Sequence, residues 1–147
     1  MAKKTLCVDF DGVIHSYTSG WGGHETISDP PVEGAIEFLY DALKVFKVAI
    51  YSSRSANAGG VAAMQRWIAE YAKPFMFDYG AEWWLALEWP TSKPSAWVTI
   101  DDRAITFTGP DGWPSMQELV EFKPWYQLPK LSSLKKAVEF LATEGNN

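Results

Sequence analysis

The sequence has a single cysteine, Cys7, among 147 residues. A lone thiol closes no disulfide within the chain and supplies no CxxC pair for zinc or redox chemistry, so a reducing, cytoplasmic setting is expected. Basic residues are in deficit, 13 against 18 acidic ones, for a net charge of −5 and a pI near 5.0. That balance argues against a surface built to grip a long phosphate backbone, while a mononucleotide or short oligonucleotide is still admitted. No apolar run is long enough to span a bilayer, so no membrane partner is expected. Lys3 and Lys4 precede only a short apolar stretch before Asp9, which is not the pattern of a secretory leader.

What is present is apolar and aromatic. Hydrophobic residues make up 47% of the chain, enough at this length to bury one core but not two. A single domain over 1–147 is expected, with a core at about 5–125 and a C-terminal helix at about 130–143. Eight tryptophans raise the prospect of base stacking. Packing of the interior is the more ordinary use of such residues and is the preferred reading.

Residues 5–10 form a short apolar run that reads as a strand buried on both faces. Gly12 turns the chain, and 15–29 is polar and aperiodic, a loop or small flap. Asp29 can cap a helix at about 32–43, whose Ala35, Ile36, Leu39, Ala42 and Leu43 repeat at helical spacing. Residues 47–51 read as a second strand, and Met64, Trp67, Ile68 and Tyr71 mark a second helix. A third strand is placed at 85–89, with 75–77 as the alternative. A fourth follows at 97–100 and a fifth at 105–108, then a turn at 109–112 and a short helix at 115–122. Leu131, Leu134, Val138 and Leu141 stripe the last helix, ahead of a frayed Gly-Asn-Asn tail. Strands alternating with helices predict a Rossmann-like α/β fold, a three-layer sandwich around a mainly parallel sheet.

In such sheets ligands bind beyond the carboxyl ends of the strands. Asp9 and Asp11, Ser52 and Ser53, and Asp101 and Asp102 all fall there. Two carboxylates two residues apart at a strand end point the same way and repel unless a cation sits nearby. Four carboxylates with no Cys or His partner suit Mg²⁺ better than zinc. Asp9 and Asp11 as mere turn formers would be an even alternative if they stood alone. A hydroxyl from Ser52 or Ser53 and a cation from Lys93, both groups that bind phosphate oxygens, break the tie.

Asp9-Phe10-Asp11-Gly12-Val13, Ile50-Tyr51-Ser52-Ser53-Arg54, Lys93-Pro94 and Ile100-Asp101-Asp102-Arg103, in that order, resemble the motifs of the haloacid dehalogenase (HAD) superfamily over roughly 5–125. Gly12-Val13-Ile14-His15-Ser16 and Lys93-Pro94-Ser95-Ala96 narrow the resemblance to small HAD-type proteins often encoded by phages and prophages. The resemblance implies an HAD core with a minimal cap and a Mg²⁺-dependent phosphatase working through an aspartyl-phosphate. Asp9 would be the nucleophile and Asp11 the general acid and base. Mg²⁺ would take the Asp9 carboxylate, the Asp11 backbone carbonyl and the Asp101 carboxylate. Ser52 would bind a phosphate oxygen, with Ser53 as its rival, and Lys93 would stabilise both Asp9 and the phosphoryl group.

Asp102 would stand behind these groups and orient Lys93 or a metal-bound water. Arg54 is expected to pair a nearby carboxylate rather than a phosphate, and the same holds for Arg103. The loop histidines, His15 and His24, could reach a substrate, but solvation is the expected state. Trp21 and Tyr17 could stack a nucleobase, and packing of the flap onto the core is the preferred reading. The expected substrate is a small phosphate ester, with a nucleotide or an oligonucleotide end as the alternative. A binding protein that holds a metal and a phosphate ligand without turnover is the rival of another class. An uncapped site can also use a partner subunit as its lid, so a homo-oligomer is among the expected partners.

Overall fold

A computed structural model describes residues 2–129 and 131–145, the side chains of 131–134 apart. The chain divides into two compact units, Met1–Ala104 and Ile105–Asn147.

In the first unit three apolar runs form parallel strands: β1 (Thr5–Val8), β2 (Lys47–Ile50) and β3 (Val98–Ile100), in the spatial order β2-β1-β3. The fold is therefore α/β. Helix α1 (Ala35–Leu43) joins β1 to β2, and α2 (Ala58–Ala72) follows β2. Each buries the stripe that its spacing sets: Ile36, Leu39 and Ala42 on α1, and Met64, Trp67, Ile68 and Ala72 on α2. These close on Leu6 and Val8 of β1 and on Val48 and Ile50 of β2 to make the core.

Three local expectations change. Helix α1 begins at Ala35, three residues late, with Gly34 at φ 84° in the cap position. Asp29 does not cap it, because its carboxylate is taken by the backbone N–H and hydroxyl of Ser19. The third strand shrinks to one parallel bridge, Ala49↔Glu88. There the Ile50 N–H donates to the Glu88 carbonyl and the Glu88 N–H to the Val48 carbonyl, both at 2.9 Å. Residues Trp83–Ala86 coil into a 3₁₀ turn instead, which buries Trp83 and Leu87 and leaves Leu85 exposed. With Glu88 counted, the chain segments lie side by side as third, second, first, fourth. The alternative at 75–77 is helical, in Lys73–Phe75 and α3 (Met76–Tyr79).

The second unit contains α4 (Met116–Val120), a 3₁₀ turn at Trp125–Gln127 and α5 (Leu131–Glu144). Ser115 and Glu118 cap α4 reciprocally. The fifth strand expected at 105–108 is irregular, although Ile105 and Phe107 alternate with threonines. A strand needs a neighbouring backbone to bond, and this unit has no other strand among the described residues. Phe107 packs its ring on Trp113 instead, 4.6 Å between centroids. Of the C-terminal stripe, Val138 and Leu141 are exposed. The side chains of Leu131 and Leu134, Lys130, and the Asn146 and Asn147 tail lie outside the described residues. No helix among those described is long and apolar enough to cross a membrane.

Candidate functional site

The parallel register brings the strand ends level, with Val8 opposite Ile50 on one side and Ile100 on the other. Two further backbone bonds carry the pairing past the strands: Asp9 N–H to the Ile100 carbonyl at 2.9 Å, and Tyr51 N–H to the Val8 carbonyl at 3.2 Å. The residues that follow, Asp9, Ser52 and Asp101, therefore emerge at one edge of the sheet.

Asp9, Asp101 and Asp102 each offer a carboxylate oxygen there, all within 4.8 Å of one another. Asp9 Oδ1 accepts the Phe10 N–H at 2.8 Å, and Asp101 Oδ1 accepts the Arg103 N–H at 2.8 Å. The Asp102 side chain is 3% exposed and its Oδ2 is buried without a hydrogen-bond partner, 3.9 Å from Arg103 Nε. Burial, then a hydrogen bond with the Asp102 carboxyl, then the charges of Asp101 and Asp102 push the Asp9 carboxyl up to about 8, against the Phe10 N–H alone. A proton shared with Asp102 would relieve the crowding, and so would a cation. Hard carboxylate oxygens, one of them orphaned, fit Mg²⁺.

The Asp11 carboxylate is not one of these three. Its Oδ2 accepts Arg54 Nε at 2.9 Å, and its Oδ1 accepts Arg54 Nη2 at 3.1 Å and meets His15 Nδ1 at 2.8 Å. Burial alone would raise its pKa, but the hydrogen bonds from His15 and Arg54 and their charges hold it below the ordinary carboxylate range. The backbone around Asp11 is a tight turn. The N–H groups of Val13, Ile14 and His15 converge on the Phe10 carbonyl, and Gly12 takes φ 81°, which only glycine adopts freely.

His15 overturns the expectation of a solvated side chain, being 1% exposed. Its Nε2 accepts the backbone N–H of Asp29 at 3.1 Å. In the neutral ring that places the proton on Nδ1, where it donates to Asp11. Phe10 and Trp67 flank the ring at 5.7 and 5.6 Å. His24 is exposed, edge-on to Trp21 at 5.1 Å. The sequence offers one cue to His15, its position four residues beyond Asp11 across a glycine turn. Nothing in the spacing points to Asp29.

Arg54 is wholly buried. Besides Asp11 it binds the flap, its Nη1 donating to the carbonyls of Gly23, His24 and Thr26 at 2.9, 2.9 and 3.0 Å. Trp21 lies over the guanidinium at 4.7 Å. Of the two serines, Ser52 is buried at the strand end, its Oγ accepting the Arg54 N–H at 3.2 Å, while Ser53 is exposed. Lys93 is exposed and makes no hydrogen bond or ion pair with the described residues. Its charge acts, with those of Asp9 and Asp101, on the Cys7 thiol, whose pKa burial raises.

Comparison with protein-family models, with curated proteins and with solved structures found no match.

Proposed function

We propose that this chain is a Mg²⁺-dependent phosphatase of HAD type, hydrolysing a phosphate monoester through an aspartyl-phosphate on Asp9. The observation that carries the reading is the carboxylate cluster of Asp9, Asp101 and Asp102 at the strand ends, with one buried oxygen left unbonded. Mg²⁺ bound by Asp9, Asp101 and the Asp11 backbone carbonyl would neutralise charge on the transferring phosphoryl oxygens. Asp102, whose carboxyl hydrogen-bonds that of Asp9, would be a further ligand.

In the first half-reaction an Asp9 oxygen bonds phosphorus as the bond to the leaving oxygen breaks, and Asp11 protonates that oxygen. In the second, water bonds phosphorus, the Asp9 ester breaks, and the Asp11 carboxylate takes the water's proton. Being held anionic suits Asp11 to this second role. Lys93, exposed and without an ion pair among the described residues, would bind the phosphoryl oxygens along with the Ser52 hydroxyl. A small phosphate ester or a nucleotide is the preferred substrate, and an oligonucleotide end would reveal itself by steep salt dependence of turnover.

One observation favours a second reading, a binder of metal and phosphate without turnover: the three hydrogen bonds on Asp11 oppose its protonation. An aryl phosphate assay decides between them. Turnover that needs Mg²⁺ and stops in chelator is expected. Phosphate binding without turnover would establish the second reading, and full activity in excess chelator would remove the metal.

A further inference from the structure

We infer that His15 and Arg54 are positioning residues that aim the Asp11 carboxylate and tie its aim to the flap at 15–29. The inference rests on the phosphatase reading above. An ionised carboxylate offers about four lone-pair sites. Asp11 spends two on Oδ1, to His15 Nδ1 and Arg54 Nη2, and one on Oδ2, to Arg54 Nε. A single site on Oδ2 remains. The Arg54 fork fixes the plane of the carboxylate and His15 fixes which oxygen is fully used, so proton exchange with a leaving group or water has one direction open to it.

The holders are themselves held. In the neutral ring the Asp29 N–H, donating to Nε2, keeps the proton on Nδ1 and so keeps the donor aimed at Asp11, and the Asp29 carboxylate lies 3.6 Å from the same Nε2. Asp29 is anchored by Ser19 through its carboxylate and by Trp67 Nε1, which donates to its carbonyl at 3.2 Å. Residues 14–16 pair with 30–32, closing the base of the flap: Ser16 N–H to the Pro30 carbonyl at 3.0 Å and Val32 N–H to the Ile14 carbonyl at 2.8 Å. The Arg54 nitrogen not used on Asp11 or in its chain, Nη1, binds three carbonyls of the flap's far side. Displacement of that side pulls on the same planar guanidinium that grips Asp11.

Replacement of His15 separates the two ends of its ring. Asparagine puts an amide N–H near the place of Nδ1 and keeps the donor to Asp11, whereas glutamine keeps an acceptor near Nε2 and loses that donor. Turnover of an alkyl phosphate, which needs its leaving group protonated, is compared with that of an aryl phosphate, which needs it little. In His15→Gln and Arg54→Lys, kcat for the alkyl ester is expected to fall on the order of 10- to 100-fold further than for the aryl ester, with KM nearly unchanged. His15→Asn should recover most of the alkyl activity. Equal losses on both esters, or His15→Asn no better than His15→Gln, would overturn the inference. Nitrogen NMR of the neutral His15 ring in the wild type supplies a readout independent of turnover: protonation at Nδ1 is expected, and protonation at Nε2 would overturn it. A wild type that hydrolyses neither ester would refute the phosphatase reading, and the ring proton would still decide whether His15 holds Asp11.

Discussion

Asp9 and Asp11 stand two residues apart and meet opposite surroundings. The first is crowded by Asp101 and Asp102, and its carboxyl is pushed up to about 8; the second is gripped by Arg54 and His15 and held low. Replacement by asparagine should therefore change stability in opposite directions. In chelator at pH 8, Asp9→Asn removes a crowded charge and is expected to stabilise the protein. Asp11→Asn places an amide against a buried guanidinium and leaves that cation unpaired, a loss of about 3–5 kcal/mol. Urea denaturation of both variants measures this, and a stabilised Asp11→Asn would show that Arg54 does not depend on its partner. Asp9→Asn should also form no phosphoenzyme by mass spectrometry, whereas Asp11→Asn should still be phosphorylated slowly by an aryl phosphate.

At the scale of elements, the strands and their terminal aspartates were legible because each is an uninterrupted local signal, an apolar run ending in Asp or Ser. The stripes of α1 and α2 were legible for the same reason. The 85–89 and 105–108 runs looked alike in sequence yet found almost no partner backbone, and pairing is not a local property. The burial of Arg54 and His15 was equally hidden, since each is buried by groups far along the chain: Asp11 and the flap carbonyls for one, Asp29 and Trp67 for the other. Arginine is otherwise rarely buried.

The first turn of α2 gives this arrangement a test. A Cβ on Gly60 would run into the Arg54 backbone carbonyl, whereas one on Gly59 would meet the Glu25 side chain, which can swing away. Gly60→Ala is expected to destabilise by about 1–3 kcal/mol through this overpacking. Gly59→Ala should be close to neutral, because the gain in helix propensity offsets the lost Glu25 contact. Equal melting temperatures for the two variants would show that α2 can slide away from the 3₁₀ turn at Ser53–Ala56.

For the whole molecule, the raised and lowered carboxyls set how stability varies with pH. Asp11, and Asp29 with its two Ser19 hydrogen bonds, titrate below their ordinary value of 3.8 in the folded chain. Their contribution is present above that value and is lost as the pH falls through their folded values. Asp9 runs the other way. Between 3.8 and about 8 the metal-free folded chain keeps a proton that the unfolded chain has released, so its stability declines as the pH rises through that window. Metal-free protein should thus be most stable on the acid side of neutrality. Mg²⁺ competes for the same oxygens, so its binding near pH 7 is expected to expel close to one proton, and its affinity to climb until about pH 8 and then level off. Titration calorimetry in two buffers of different ionisation enthalpy counts the proton directly. Mg²⁺ binding without proton release at pH 7, or a metal-free melting temperature that rises steadily from pH 5 to 8, would show that Asp9 is already ionised in the empty cluster and that the three carboxylates are held apart in solution.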